Sequence, residues 1–256
     1  MTTSLGLRYF VRKLPLLLAA CIATQCPDCL AREHAVTQLS GTLESLFASE
    51  QAASFKDVLP ADERVQWAFI EAEPAESPSG VLLFISPNAT ALPQPDWHTI
   101  LRERNLHWIA AENFGNEKPT AQRVLVAIMG LRRLELDHTL DRKRIYIGGM
   151  SGGGRAASTA ITSFPQLFSG ALYIVGADTW KRDAHVQLPS IREKRYVFIT
   201  GRRDFNRSEM RGVYRDYIEN GVQNALLMDL RGFGHQYPGA EQLNRALEFL
   251  DGEETR

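Results

Sequence analysis

The chain has 256 residues, 44% of them apolar and 23% charged, which is enough to bury one substantial core and fits a single undivided domain. Its 29 basic and 30 acidic side chains leave a formal net charge of −1. No broad field therefore exists to gather nucleic acid or an anionic membrane surface, and small neutral ligands are the class left open.

Residues 1–31 read as a secretory leader. Arg8, Arg12 and Lys13 precede an apolar run over residues 14–23, and a small-x-small site follows at Cys29-Leu30-Ala31. The run is interrupted by Pro15 and is about half the roughly twenty residues that cross a bilayer, so no integral membrane span is expected. Cleavage after Ala31 would leave a domain of residues 32–256, exported to the periplasm or the medium. Leu18-Ala19-Ala20-Cys21 resembles the box cut in bacterial lipoproteins, which makes a lipid anchor on Cys21 the alternative. All three cysteines, Cys21, Cys26 and Cys29, fall in this leader. The mature domain would then have no thiol and no disulfide to support it. Cys26 and Cys29 have C-x-x-C spacing, but no strand–helix–strand pattern surrounds them as a redox motif requires.

Residues 35–55 place Leu39, Leu43, Leu46 and Phe47 at helical spacing and predict a peripheral helix or arm. Strands are expected over 65–71 and 81–86, joined in hairpin fashion by the turn-rich segment 73–80. From there the chain alternates. A helix over 96–104, a strand over 106–110 and a helix over 120–136 lead to a strand at 144–148 and a helix after it. Strands at 171–175 and 196–200, a helix at 208–220, a strand at 225–230 and a helix at 240–250 complete the series. Such alternation predicts the α/β class, a mostly parallel sheet with helices on both faces. In sheets of this kind chemistry is sought just past the carboxyl ends of the strands.

At one such end stands Gly149-Met150-Ser151-Gly152-Gly153, between the apolar run Arg144-Ile145-Tyr146-Ile147-Gly148 and the small residues Gly154-Arg155-Ala156-Ala157-Ser158. This is a nucleophile elbow as sequence writes it. A strand turns sharply into a helix, and only very small residues two places before and after the serine allow the close approach. The turn lifts the Ser151 hydroxyl clear of the sheet and leaves the backbone N–H of Gly152 as an oxyanion donor.

A serine hydroxyl is a poor nucleophile at neutral pH, so it needs a base, and the base needs an orienting group. Of the six histidines, only His235 lies just past the final strand in a glycine-bounded loop, Arg231-Gly232-Phe233-Gly234-His235-Gln236-Tyr237-Pro238. His34, His98, His107, His138 and His185 occupy less suitable places. The acid should fall between serine and histidine in chain order. Asp204, after the strand at 196–200, is the first choice, and Asp178, after the preceding strand, is the alternative. A helix cap, or an ion pair with Arg202 or Arg203, would be the structural reason for Asp204.

The run from Asp141 to Gly153 resembles the elbow of secreted esterases grouped with polyhydroxybutyrate depolymerases and feruloyl esterases, within the α/β-hydrolase superfamily. The segments Thr200-Gly201 to Asn206 and Gly232-Phe233-Gly234-His235 are similar to the acid and histidine loops of that group. The likeness extends from about Val81 to the end. It implies an α/β-hydrolase fold and cleavage of small or polymeric esters through an acyl-serine, without cofactor or metal, by Ser151, Asp204 and His235. Where such enzymes carry His-Gly after the third strand, this chain reads Ile85-Ser86-Pro87-Asn88-Ala89. Pro87 has no N–H. The second oxyanion donor is then expected from the backbone of Asn88 or Ala89 or from the Asn88 amide. Asn113 and Asn116 either line the pocket or close a turn.

Three other readings compete. A peptidase on the same fold would use the same three residues. A hydrolase fold that binds without catalysing would suit the altered oxyanion loop. Gly152-Gly153-Gly154-Arg155-Ala156-Ala157 also satisfies G-x-G-x-x-A, with Asp178 further on, and so suggests a dinucleotide site. That fingerprint belongs to the first strand of its unit, whereas several strands precede this one.

Overall fold

The computed structural model describes residues 36–73, 75–180 and 188–253. The leader with its cysteines, His34 and His185 lie outside them. The described part opens with strand β1 (Thr37–Gly41) and the short helices α1 (Leu43–Leu46) and α2 (Ser49–Ser54). Strands β2 (Val65–Ile70) and β3 (Ser79–Ile85) follow, then helix α3 (Trp97–Glu103), strand β4 (Leu106–Ala111) and helix α4 (Thr120–Glu135). Strand β5 (Leu140–Met150), helix α5 (Gly152–Ser163), strand β6 (Gly170–Ile174) and helix α6 (Leu188–Arg192) come next. Strand β7 (Arg195–Arg203), helix α7 (Arg207–Glu219), strand β8 (Asn224–Gly234) and helix α8 (Ala240–Asp251) complete the domain.

Among the described residues eight strands form one sheet in the order β1-β2-β4-β3-β5-β6-β7-β8. From β4 to β8 every neighbouring pair is parallel, while β1 and β2 are antiparallel additions at one edge. Helices α4, α5 and α7 cover one face, where Val124, Ile128, Ala157, Ile161 and Tyr217 pack on Leu83, Ile147, Tyr173 and Phe198. Helices α3 and α8 cover the other, with Trp97, Leu101, Leu243 and Leu247 on Phe84, Trp108, Leu172 and Ile199. Strands buried on both faces explain the unbroken apolar runs of the sequence. Among the described residues no helix is long and apolar enough to cross a membrane.

Two expectations are corrected. Residues 37–41 form a strand, not part of a helix, with Leu39 opposite Trp67 in the register of β1 and β2. The four-residue spacing of Leu39 and Leu43 mimicked a helix, yet a new helix begins only at Thr42, whose hydroxyl accepts the Ser45 N–H while Ser45 Oγ accepts the Thr42 N–H. Nor are β2 and β3 a hairpin: β4 lies between them, antiparallel to β2 and parallel to β3. The 73–80 segment is long enough to step over one strand position, and β3, apolar throughout, takes the doubly covered interior.

β4 also carries a buried imidazole. His107 Nδ1 accepts the Ala72 N–H at 3.0 Å. Burial and the adjacent His138 push its pKa down to about 4. A histidine held neutral in the folded state charges more readily when unfolded, so stability falls as pH drops from about 6.5 towards about 4. The shift corresponds to roughly 3 kcal/mol. In urea titrations at pH 7 and pH 4.5, His107→Gln should lose most of that difference; an unchanged slope would show that the acid sensitivity arises elsewhere.

Candidate active site

β5 is followed directly by Ser151, whose φ of 54° and ψ of −122° lie where L-residues are rarely found. Its N–H donates to Ile174 O at 2.8 Å, which ties the turn to β6. The glycines around it serve as space. A Cβ on Gly149 would lie 2.3 Å from the Gly153 carbonyl, one on Gly153 1.9 Å from Ile85 O, and one on Gly154 2.0 Å from Gly176 O. The G-x-S-x-G spacing thus has a packing cause. Val175, buried and β-branched, takes a φ of 47° just beyond β6. This conformation carries a cost of about 1–3 kcal/mol; the Asn206 amide holds it by donating to Val175 O at 2.8 Å.

Three side chains from three strand ends meet at this turn. His235 Nε2 lies 2.9 Å from Ser151 Oγ, and His235 Nδ1 lies 2.9 Å from Asp204 Oδ1. The Asp204 side chain is fully buried. Its Oδ2 accepts the Thr200 hydroxyl at 2.6 Å, and its Oδ1 also accepts the Asn206 N–H at 3.0 Å. A carboxylate saturated in this way accepts the imidazole proton at Nδ1 and leaves the Nε2 lone pair facing the serine. Neither structural reason for Asp204 applies, since Asn206 is the residue that caps α7 and, among the described residues, no arginine pairs with the carboxylate. Asp178 is exposed, with Oδ1 3.8 Å from Arg155 Nε. Of the other histidines, His98 is buried on α3, while His107 and His138 pack against each other with ring centroids 4.7 Å apart.

The loop that delivers His235 is anchored just beyond the imidazole. Trp97 Nε1 donates to Pro238 O at 2.8 Å, and the Tyr237 ring packs between Phe84 and Trp97 at 6.2 and 5.7 Å. Phe205 stacks on the imidazole with centroids 4.0 Å apart and planes at 20°, yet is 76% exposed. Sequence reasoning passed over Thr200, Asn206 and Phe205 as parts of the site. Only Thr200, a hydroxyl four residues before the acid on a buried strand, offered a signal.

Facing the elbow, the Asn88 N–H is engaged, donating to Ser86 Oγ at 3.1 Å. Asn113, with a φ of 62°, lies in a turn and ties it to the loop after β3 by donating its N–H to Ala89 O at 2.7 Å. Asn116 lines the site. Its N–H donates to Pro87 O at 2.9 Å, and its Oδ1 lies only 2.2 Å from where a Cβ on Gly152 would be. Among the described residues no three His, Cys, Asp or Glu side chains gather as metal ligands would. A cleft of about 540 Å³ lined by Arg104, Arg144 and Asp251 lies at the amino ends of the strands, away from this chemistry. Its charges are spent on one another, with Arg104 Nη1 and Arg144 Nε 2.9 and 2.8 Å from Asp251.

The sequence matches no family model and no curated protein. Solved structures do resemble it. A bacterial heroin esterase superposes with a TM-score of 0.60 at 16% identity, over 85% of this chain and 84% of that one. A ferulic acid esterase gives 0.59 at 14% identity, over 85% and 98%. A thermostable esterase gives 0.56 at 16% identity over 83% of this chain, which spans 60% of that enzyme's length. These likenesses establish an α/β-hydrolase fold.

Proposed function

We propose that the protein is a serine hydrolase that cleaves carboxylic esters, small or polymeric, through an acyl-serine intermediate. The observation that carries this reading is the continuous relay from Ser151 Oγ through His235 to the buried Asp204, with both links at 2.9 Å. His235 Nε2 takes the hydroxyl proton as Oγ attacks the ester carbonyl, and Asp204 stabilises the imidazolium that forms. The imidazolium then returns the proton to the departing alcohol, and a water attacks the acyl-serine with the same base. The negative charge on the carbonyl oxygen falls to the Gly152 N–H and to the wall formed by Asn88 and Asn116. With no N–H on Pro87 and that of Asn88 engaged, the second donor falls to the Ala89 N–H or to a side-chain amide of this wall. The esterases among the structural neighbours support ester over amide.

Export is part of the same proposal and rests on the leader composition. One experiment tests both. The exported protein is treated with a fluorophosphonate, and the intact mass and the modified peptide are read. We expect a single adduct on Ser151 of a chain that begins at Arg32. An unmodified serine would overturn the hydrolase reading, and a lipidated Cys21 at the amino terminus would replace cleavage after Ala31.

A further inference from the structure

Arg123 is 4% exposed on the core side of α4, amid Phe84, Phe114, Val126 and Ala127. Among the described residues no carboxylate forms an ion pair with it, and its Nε has no hydrogen-bond partner. Such a placement is costly, because a buried guanidinium forfeits its hydration and here feels Glu117 only through space, without a direct ion pair, and a methionine or leucine would fill the same space more stably. What the guanidinium does gain is two carbonyls. Nη1 donates to Gly152 O at 3.1 Å, and Nη2 donates to Ser86 O at 3.0 Å.

Those two carbonyls belong to the two walls between which an oxyanion would form. Gly152 carries the elbow donor, and Ser86 begins the Ser86-Pro87-Asn88 turn on the facing side. One planar fork therefore fixes the Gly152 and Ser86 peptides relative to each other, a geometry that a single-point ammonium cannot reproduce. Its charge also sits behind both walls in a medium of low dielectric constant, where it favours negative charge in front of them. We infer that Arg123 is a positioning residue that holds the oxyanion site in register and biases its field towards the tetrahedral intermediate. The inference rests on the ester-hydrolase reading and deepens it. With no His-Gly pair after β3, this chain depends more heavily on the orientation of the donors it has.

The test measures kcat and KM for p-nitrophenyl acetate, together with Tm, in wild type, Arg123→Met, Arg123→Lys and Arg123→Gln. Loss of an interaction made only in the transition state lowers kcat and leaves KM alone. We expect Arg123→Met to lose about 100-fold in kcat, the order seen when one oxyanion contact is removed, with KM within about twofold. Its Tm should equal or exceed that of wild type, since a buried charge that no carboxylate contacts directly has been removed. Arg123→Lys should retain more kcat than Arg123→Gln, and this comparison decides the matter if the methionine variant is not recovered folded. A wild-type kcat in Arg123→Met, a loss that follows Tm across the variants, or a glutamine variant as active as the lysine one overturns the inference. Those outcomes leave the hydrolase reading intact, whereas a wild type inert towards both ester and fluorophosphonate removes both.

Discussion

Ser151→Ala should lower kcat for p-nitrophenyl acetate by about 10⁵-fold or more, with KM and Tm little changed. The change deletes one oxygen from a half-buried position and asks nothing new of the backbone, because alanine meets the same strain at a φ of 54° that serine already bears. The Gly149, Gly153 and Gly154 contacts that shape the turn involve other residues and persist. Whatever rate remains comes from the Gly152 N–H and its facing wall acting on a water. A variant that keeps more than a few per cent of wild-type turnover would mean that another group attacks the ester, and the role given to the elbow would be lost.

Asp204→Asn should cost about 10⁴-fold in kcat. The Thr200 hydroxyl donates to Oδ2 and the Asn206 N–H to Oδ1. An amide can satisfy only one of these positions with its oxygen. If its oxygen stays on Thr200, its NH₂ faces His235 Nδ1, the ring proton moves to Nε2, and the base can no longer accept from Ser151. Asp178→Asn is the matched control. Its side chain is 57% exposed and lies beside Arg155, so turnover should stay near wild type. Steady-state kinetics on both variants check the assignment of the acid, and greater damage from the Asp178 change would reverse it.

How much of this was legible depends on whether the cause lay in neighbouring residues. The elbow was, because strain and close approach leave a mark in small residues at fixed offsets. Asp204 and His235 were ranked by their positions just past strands, a rule that follows from the topology of parallel sheets. β1 was not legible: its five residues pair with β2 across more than twenty residues of chain, and nothing in Thr37–Gly41 announces that partner. The hairpin error has the same origin, since strand order is decided by which strands tolerate burial on both faces and not by adjacency in the chain. Arg123 carries no mark of its role in the sequence around it. Its meaning comes from two backbone carbonyls, and a carbonyl has the same letter-independent presence at every position.

The four glycines at 149, 153, 154 and 176 have a consequence for anyone who would retune this protein. Each marks a spot where even a methyl group would collide with main chain at 2.3 Å or less, so a mutational scan should show an intolerant strip beneath the nucleophile. Backbone atoms cannot retreat as a flexible side chain does. Diversity aimed at new substrates therefore belongs on the exposed rim around Phe205, which is 76% exposed, and not at Asn113, held at a φ of 62°, or at Asn116 against the elbow.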